Sequence, residues 1–280
     1  MFASLPAACN GGSTERPLEA LKAVPVNNDM RSRRQLLRHC LLGVVASTLV
    51  GAQPSMAAAQ TLLRLARIEN VPDQAVGGEI LTVVYAKLGI TLELVAVPAK
   101  RSLIESSEGR LDGETQRVLD VEREYPTLVP VREPVNYIEP SAFTKRLDFR
   151  VEGWESIRPY MVGIVRGVGS SERGTRGMPR VEAAPGMEQL MEMLANDRVE
   201  VAVNDLFSGL LVNARLGLDH RLHPLSPPLQ HIDLYHFLHV RHRELVPKVE
   251  AVVRQMRASG ELERLRREIT ARMFDDARKK

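Results

Sequence analysis

The sequence predicts an α/β protein that contains parallel strands. Short apolar runs alternate with segments whose apolar residues recur at helical spacing, and the first complete strand–helix–strand unit covers 62–97. The 280 residues are 44% hydrophobic and 26% charged, which excludes a disordered or collagen-like chain. A chain of this length buries a substantial core in one large domain or two small ones.

The first unit follows from local patterns. A strand is predicted over 62–68 and a helix over 78–88, where the apolar residues face one side and Gly89 ends the helix. A second strand is predicted over 90–97, and a second helix over 100–107. Because a strand, a helix and a strand in this order are usually joined by a crossover, we expect a parallel sheet.

The rest of the chain continues the alternation without internal repeats or low-complexity tracts. Strands are predicted at 128–131, 141–149, 160–165, 199–203 and 234–240. Helices are predicted at 187–194 and 207–216, over a segment from about 245 to Gly260, and from there to about 273.

The excess positive charge is confined to the N-terminal segment. Six of the 38 Lys and Arg residues and three of the 35 Asp and Glu residues lie in 1–59, so 60–280 contains 32 of each. The sequence pI of about 9.0 therefore does not describe the rest of the chain. Aromatic residues make up 4%, with a single Trp, which disfavours a stacking surface for bases. We expect no nucleic-acid partner.

Residues 31–59 have the pattern of an export signal. Arginines at 31, 33, 34 and 38 precede a short apolar run at 41–50, and small residues at 57–59 predict cleavage before Gln60. The run is about half of the roughly 20 residues that span a bilayer. Residues 32–38 resemble the twin-arginine export motif, with Leu36 where that motif prefers Phe, so the Sec route also fits. Periplasmic localisation follows.

Two further features of this segment bear on the mature chain. Met30 directly precedes the basic block, so translation from Met1 or from Met30 fits the pattern. Both cysteines, Cys9 and Cys40, precede the expected cleavage point. The mature chain therefore offers no thiol chemistry and no multi-cysteine metal site, and we expect no cofactor.

Five segments in a fixed order carry a resemblance to a known family. They are 98–103 (PAKRSL), 109–113 (GRLDG) with Arg117, 162–167 (VGIVRG), 193–205 (MLANDRVEVAVND) and 242–249 (HRELVPKV). Over most of 62–273 the chain resembles the type II periplasmic substrate-binding proteins, specifically the bacterial extracellular solute-binding protein family 3.

The resemblance implies two α/β lobes joined by two extended crossovers that act as a hinge. Lobe one would comprise 60–148 and 230–280, lobe two 149–229, and 1–59 would be an N-terminal extension with the signal peptide. A ligand would lie between the lobes, which close over it. The strand pattern agrees, because ligands of open α/β sheets bind outside the carboxyl ends of the strands.

Polar residues after the predicted strands of lobe one are candidate ligand contacts. Glu69, Asn70 and Asp73 follow the first strand and could hold a polar ligand or cap the next helix. Arg101 and Arg117 could bind a carboxylate with two parallel hydrogen bonds, although an exposed helix arginine is often only solvated. The family's carboxylate-binding arginine lies in a Thr-x-x-Arg segment that this chain lacks, so Arg117 is a displaced candidate.

Lobe two contributes a loop and an acidic residue. The loop from Arg166 through Ser170 to Ser171 could bind an anion through backbone N–H groups, or be a mobile surface loop. The resemblance implies a hydroxyl that holds the ligand carboxylate there, which Ser170 or Ser171 would supply. It also implies that Asp205 pairs with a ligand ammonium, and the alternative is that Asp205 caps the following helix.

Histidines at 236, 239 and 242 are spaced by three, which could suggest a metal site. On a predicted strand this spacing alternates between faces, so the three side chains do not converge. We therefore predict no metal.

These observations predict an exported, soluble, monomeric solute-binding protein without catalytic activity. It would bind an amino-acid-like molecule or small carboxylate and deliver it to the membrane permease of an ABC transporter. One alternative is a periplasmic enzyme resembling cyclohexadienyl dehydratase, with Glu69 or Glu139 as the acid. The other is a receptor that presents its ligand to a sensor partner.

Overall fold

The computed structural model describes residues 61–279, which belong to one compact unit. The predicted export signal and both cysteines lie outside the described residues. Two mixed sheets, each with helices packed against it, form the two lobes. This arrangement confirms the predicted α/β class.

The first sheet has the spatial order β2-β1-β3-β11-β4, and β5 pairs with β11. Its strands are β1 (Leu62–Ile68), β2 (Thr91–Val97), β3 (Gly113–Arg117), β4 (Leu128–Pro130), β5 (Asn136–Ile138) and β11 (Ile232–His239). β1 is parallel to both β2 and β3, as predicted for the first unit, whereas β11 runs antiparallel to β3.

The second sheet has the order β10-β6-β9-β7-β8. Its strands are β6 (Pro140–Thr144), β7 (Val162–Val165), β8 (Val181–Ala184), β9 (Val201–Asp205) and β10 (His223–Pro224). β7 is parallel to β8 and β9, so the carboxyl ends of β7 and β9 lie at one edge of the sheet. That edge is where the lobe-two candidates Arg166, Ser170 and Asp205 are located.

Eight α-helices connect the described strands. They are α1 (Pro72–Ala86), α2 (Ala99–Ser107), α3 (Val121–Glu124), α4 (Gly169–Gly174), α5 (Met187–Ala195), α6 (Leu206–Leu216), α7 (Val246–Ala258) and α8 (Glu261–Arg278). Two 3₁₀ helices cover Trp154–Ile157 and Val240–Leu245. Within the described range, no helix is both long enough and apolar enough to cross a bilayer.

The sheet assignments place the boundary between the lobes earlier than predicted. β6 lies in the second sheet, antiparallel to β9, although 140–144 fell within the predicted lobe one. The chain therefore leaves the first sheet at Glu139, and it returns between Pro224 and Ile232. All five residues of β6 are buried, so its sequence shows no alternation between apolar and polar positions that would indicate which sheet the strand joins.

Helix α1 begins six residues before the predicted start at 78. Pro72 occupies the first turn, where its missing N–H and its restricted φ suit a helix N-terminus. Asp73 and Gln74 are buried although they are polar. A search for apolar residues at helical spacing therefore does not include this first turn of the helix. Gly77 allows close packing, since a Cβ there would lie 1.9 Å from the Gln116 amide oxygen of β3.

Helix α6 links the two lobes. It follows β9 of the second sheet, yet Phe207 and Leu211 are buried in the core of the first sheet. The Phe207 ring packs edge-to-face on Phe274 of α8, with centroids 5.5 Å apart. The other side of α6 buries Val212 in the core of the second sheet. The start of α6 is thus anchored to both halves of the molecule.

A buried histidine joins α1 to the first sheet. The hydroxyl of Tyr85 lies 2.7 Å from Nε2 of His236, and Nδ1 of His236 lies 2.7 Å from the Glu114 carbonyl. Burial lowers the pKa of His236 to about 4, so the ring is neutral at pH 7. Nδ1–H donates to the carbonyl and Nε2 accepts from the tyrosine, which satisfies both nitrogens.

Candidate functional site

A cavity of about 530 Å³ lies between the two sheets. We call it the interlobe cavity. One wall consists of 118–120, directly after β3, together with the start of β11 and the residues preceding it. The opposite wall consists of Ser170, Arg173 and Gly174 of α4. The second crossing contributes Gln230 and His231 to this region, and Nδ1 of His231 lies 3.3 Å from Oε1 of Glu139 at the first crossing.

Arg117 at the end of β3 is engaged within its own lobe. Its Nε donates to Oε2 of Glu114 at 2.8 Å, and its Nη2 donates to the Ala99 carbonyl at 2.9 Å and to the Ser102 hydroxyl. Glu114 is fully buried and also accepts from Ser106 at 2.9 Å. Burial raises the pKa of Glu114, and the adjacent Arg117 opposes that shift. The Arg117 side chain is 12% exposed.

Asp73 is buried at the start of α1. Its Oδ2 accepts from Nε2 of Gln116 at 2.9 Å. Burial, and then the nearby Asp205 carboxylate, raise the pKa of Asp73 to about 7. Asp73 lies at the start of α1 in lobe one, whereas Asp205 lies at the end of β9 in lobe two.

Asp205 caps α6. Its Oδ2 accepts from the Ser208 backbone N–H at 3.0 Å, and its Oδ1 accepts from the Glu139 backbone N–H at 2.9 Å. The capping role that we considered for Asp205 is therefore present. Burial raises the pKa of Asp205, while these hydrogen bonds lower it. The second hydrogen bond ties the end of β9 to the crossing between the sheets.

Three other predicted residues lie on the surface of lobe one. Glu69 and Asn70 are exposed between β1 and α1. Arg101 is exposed on α2 and pairs with Glu105 one turn later, with 3.1 Å between Nε and Oε1. The walls of the interlobe cavity do not include these three side chains.

One backbone N–H group of the predicted anion loop is already hydrogen-bonded within the protein. Arg166 is exposed, and the backbone N–H of Gly167 donates to Oε1 of Glu172 at 2.7 Å. Ser171 is buried, whereas Ser170 lies in the cavity wall. Of the two hydroxyls predicted for this loop, Ser170 is thus the one beside the cavity.

Sequence reasoning missed the arginine that faces both acidic residues. Arg266 of α8 donates from Nε to the Asn136 side chain at 2.9 Å and from Nη1 to the Tyr137 hydroxyl at 2.8 Å. Burial raises the pKa values of Asp73 and Asp205, and the positive charge of Arg266 opposes that shift. The sequence signal was absent because α8 carries several arginines on an ordinary amphipathic pattern.

Four charged or titratable residues around the cavity were also missed: Asp120, Arg173, His231 and Asp233. His231 lies between two carboxylates, with Nδ1 at 3.3 Å from Glu139 and Nε2 at 3.4 Å from Asp233. Its ring packs on Tyr137 at a centroid distance of 4.7 Å. Asp120 follows a strand end, a position that could have identified it once β3 was recognised.

The three histidines considered as a metal site have separate surroundings. His236 is buried against Tyr85, and Nε2 of His242 lies 2.5 Å from Oδ1 of Asp112. His239 accepts from the Arg241 backbone N–H. Within 61–279, no group of three or more His, Cys, Asp or Glu side chains is arranged to hold a metal ion.

Comparison with known proteins supports the fold. No family model matches the chain. It is 23% identical over 204 residues to an uncharacterized protein of Shewanella oneidensis, covering 71% of this chain and 77% of that protein. Two solved structures resemble it with TM-scores of 0.60 and 0.58. One is an amino acid ABC transporter substrate-binding protein from Streptococcus pneumoniae bound to L-arginine (15% identity, 76% and 96% of the chains covered). The other is a histidine kinase sensor domain with similarity to periplasmic binding proteins (16% identity, 75% and 95% covered).

An ancestral arginine-binding protein bound to arginine is similar to the same degree, with a TM-score of 0.60 at 13% identity and 75% and 98% of the chains covered. These likenesses, together with the two sheets and their double crossing, define a two-lobed type II periplasmic-binding-protein-like fold. The predicted resemblance is confirmed at this level.

Proposed function

We propose that this protein is an exported solute-binding protein that captures a small polar ligand between its lobes. The observation that carries the proposal is the interlobe cavity of about 530 Å³, whose walls come from both sheets. Cavities of roughly 300–1,000 Å³ are typical of small-molecule sites. The polar and charged side chains on both walls suit an amino-acid-like molecule or a small carboxylate.

The mechanism is closure around the ligand. The chain crosses between the sheets at Glu139 and again between β10 and β11, and two crossings of this kind permit hinge motion. A ligand that contacts both walls binds the closed form more tightly than the open form, so it shifts the population toward closure. Closure then marks the loaded state for a transporter.

Among the residues predicted from sequence, Ser170 is our candidate for direct ligand contact. The others, which are Glu69, Asn70, Asp73, Arg101, Arg117, Arg166 and Asp205, stay as predicted binding residues. To hold a ligand, Arg117 would have to give up its ion pair with Glu114. Asp205 would have to bind the ligand while it still accepts the hydrogen bonds that cap α6.

Delivery to an ABC transporter and periplasmic export are part of the same proposal. The basic block, short apolar run and small residues of 31–59 support export. The similar substrate-binding protein from Streptococcus pneumoniae serves an amino acid ABC transporter, which supports a permease partner for a monomeric receptor. N-terminal sequencing of the periplasmic protein tests the export step, and a start near Gln60 is expected.

A thermal-shift screen of amino acids, small carboxylates and polyamines tests ligand capture. A ligand that binds only the native state at about 100 times its Kd stabilises it by about 2.7 kcal/mol, which is readily detected as a higher Tm. Isothermal titration of each hit then gives the stoichiometry, and one site per chain is expected. A screen in which no compound of the three classes raises Tm would contradict ligand capture.

Two alternatives each have one supporting observation. The likeness to a histidine kinase sensor domain supports a receptor that presents its ligand to a sensor partner. Glu139, 3.3 Å from His231 beside the cavity, supports an enzyme in which Glu139 rather than Glu69 is the acid. Turnover of prephenate or arogenate above background would favour the enzyme, and ligand-dependent binding to a sensor ectodomain would favour the receptor.

A further inference from the structure

A second cavity, of about 280 Å³, lies within lobe one beside both crossings between the sheets. We call it the hinge pocket. Its walls come from β5 and the residues before it, from His231 and the start of β11, and from α7 and α8. It shares only His231 and Asp233 with the interlobe cavity, and no residue of β5, α7 or α8 lines that larger cavity. The hinge pocket therefore offers contacts of its own.

Apolar and aromatic side chains supply much of the lining of the hinge pocket. Val135 is fully buried, and Pro134 and Leu262 are half-buried. The rings of Tyr137 and His231 also line the pocket, with their centroids 4.7 Å apart. The volume is just below the roughly 300–1,000 Å³ of sites for drug-sized molecules, so the pocket suits a molecule with a single ring.

Two hydrogen-bond donors in the hinge pocket have no acceptor among the described residues. Arg266 donates from Nε to the Asn136 side chain at 2.9 Å and from Nη1 to the Tyr137 hydroxyl at 2.8 Å, which leaves Nη2 without an acceptor. The Tyr137 hydroxyl accepts that bond, and its own O–H has no acceptor in 61–279. Because Nη1 of Arg266 contacts the hydroxyl oxygen, the two remaining donors lie close together.

The charge of Arg266 has no direct counter-ion in the part of the chain that the structure describes. Both groups that accept from its guanidinium are neutral, and no carboxylate oxygen in 61–279 lies within 4.0 Å of the guanidinium nitrogens. The other arginine of the pocket, Arg257, is paired with Glu133, with 3.1 Å between Nη1 and Oε2. Arg266 is thus the basic group that is available to an anion.

Two carboxylates also line the hinge pocket, but their repulsion of an anion is reduced. Asp233 and Glu263 are both exposed, so water screens their charges. Asp233 also lies 3.4 Å from Nε2 of His231, and Glu263 lies 3.5 Å from Nη1 of Arg267. Arg266 is less exposed than either carboxylate, so its charge is screened less.

The guanidinium of Arg266 is held in a defined position. Its Cζ lies 3.8 Å from the centroid of the Tyr137 ring, a cation–π contact that adds to the two hydrogen bonds. A planar guanidinium fixed in this way loses little conformational freedom when it binds an anion. A carboxylate that accepts from Nη2 of Arg266 and from the Tyr137 O–H would place an attached ring against Val135 and Leu262.

We propose that the hinge pocket is a second ligand site, which binds a single-ring carboxylate through the Arg266 guanidinium and the Tyr137 hydroxyl. The site is independent of ligand capture between the lobes, because its donors and its apolar lining belong to lobe one. Tyr137 lies two residues before the first crossing at Glu139, and His231 belongs to the second crossing. A ligand in the hinge pocket therefore contacts the segments on which hinge motion depends.

Isothermal titration with benzoate, benzamide and benzylamine tests the charge selectivity of the hinge pocket. The three compounds share one ring and differ in charge, which is negative, zero and positive at pH 7. Benzoate is expected to bind with a Kd of about 1 mM or lower and at least tenfold more tightly than the other two, a difference of about 1.4 kcal/mol or more. Equal or tighter binding of benzamide or benzylamine would contradict the proposal, as would no detectable benzoate binding up to about 10 mM.

Two variants remove the proposed donors one at a time. Arg266→Gln removes the charge and is expected to weaken benzoate binding at least tenfold. Tyr137→Phe keeps the ring and removes only the O–H donor, so it is expected to stay folded and to weaken benzoate binding about fivefold. Arg264→Gln is the matched control, because Arg264 is an exposed arginine of α8 outside the pocket and should be replaceable without loss of affinity. Circular dichroism verifies that each variant is folded.

A change at Arg173 distinguishes the two cavities. Arg173 lines only the interlobe cavity, so Arg173→Gln should bind benzoate like the wild type. If Arg173→Gln loses benzoate binding while Arg266→Gln and Tyr137→Phe keep it, the carboxylate binds in the interlobe cavity, which overturns this assignment and supports ligand capture. If Arg266→Gln abolishes benzoate binding and no other compound of the wider screen binds, the second site stands and ligand capture is contradicted.

Discussion

Replacing Asp73 with Asn should stabilise the protein in a way that depends on pH. Asp73 is buried, and its Oδ2 accepts one hydrogen bond from Gln116, which the amide oxygen of Asn can accept equally well. Burial and the neighbouring Asp205 raise the pKa of Asp73 from 3.8 to about 7. Ionising this carboxyl in the folded protein is therefore unfavourable, and Asn avoids that cost.

The size of the effect follows from the two pKa values. A group whose pKa is higher in the folded state stabilises that state at low pH, and the stabilisation is lost as pH rises from 3.8 to about 7. At about 1.4 kcal/mol per pH unit, the difference between the two pKa values corresponds to a loss of roughly 4 kcal/mol in the free energy of unfolding above pH 7. Asp73→Asn should thus leave stability nearly unchanged at pH 4 and raise it by several kcal/mol at pH 8.

Urea denaturation of both proteins at pH 4, 6 and 8 measures this difference. For a chain of this size the gain at pH 8 corresponds to a Tm increase on the order of 10 °C. Asp148→Asn, at an exposed aspartate, is the matched control and should show no pH-dependent gain. A gain that is equal at all three pH values, or a loss of stability at pH 8, would refute the argument from the buried carboxylate.

Three further changes probe contacts that position the site. Tyr85→Phe removes the donor to His236 and leaves a buried acceptor unpaired, which should cost about 1–3 kcal/mol of unfolding free energy in urea titrations. Gly77→Ala places a methyl group 1.9 Å from the Gln116 amide oxygen, so it should destabilise the protein by roughly 1–3 kcal/mol, and a neutral result would contradict the close packing. Asp205→Ala should cost about 1 kcal/mol or more through loss of the α6 cap, and Asp205→Asn, which keeps one acceptor oxygen, should restore part of that loss; equal stability of the two variants would exclude the cap.

The first unit of the fold was predictable because its signals are local. The apolar spacing of 62–97 specifies β1, the body of α1 and β2, and their parallel pairing confirmed the crossover. The strand β3 was not predicted, since its sequence GETQR is polar throughout. Four of its five residues are nevertheless buried, and one of them, Glu114, accepts hydrogen bonds from Ser102, Ser106 and Arg117.

The candidate site was predictable only in part. Asp205 could be placed at a strand end, and Ser170 in a loop beside the expected cleft between the lobes, from the order of motifs along the chain. Asp120 and Arg173 could not be identified, because they come from segments about fifty residues apart that share no local pattern. Their significance depends on the cavity that brings them to opposite walls.

The sequence by itself determined the α/β class, the order of the main elements and the separation of a basic N-terminal segment from a charge-balanced remainder. Hydrophobic periodicity and net charge depend on residue type and spacing alone, so they can be read without a structure. Only the tertiary structure decided which charged groups are already paired and which face the cavity. Pairing depends on distances between elements far apart in the chain, and those distances bury Glu114 against Arg117 while leaving Arg173 at the cavity.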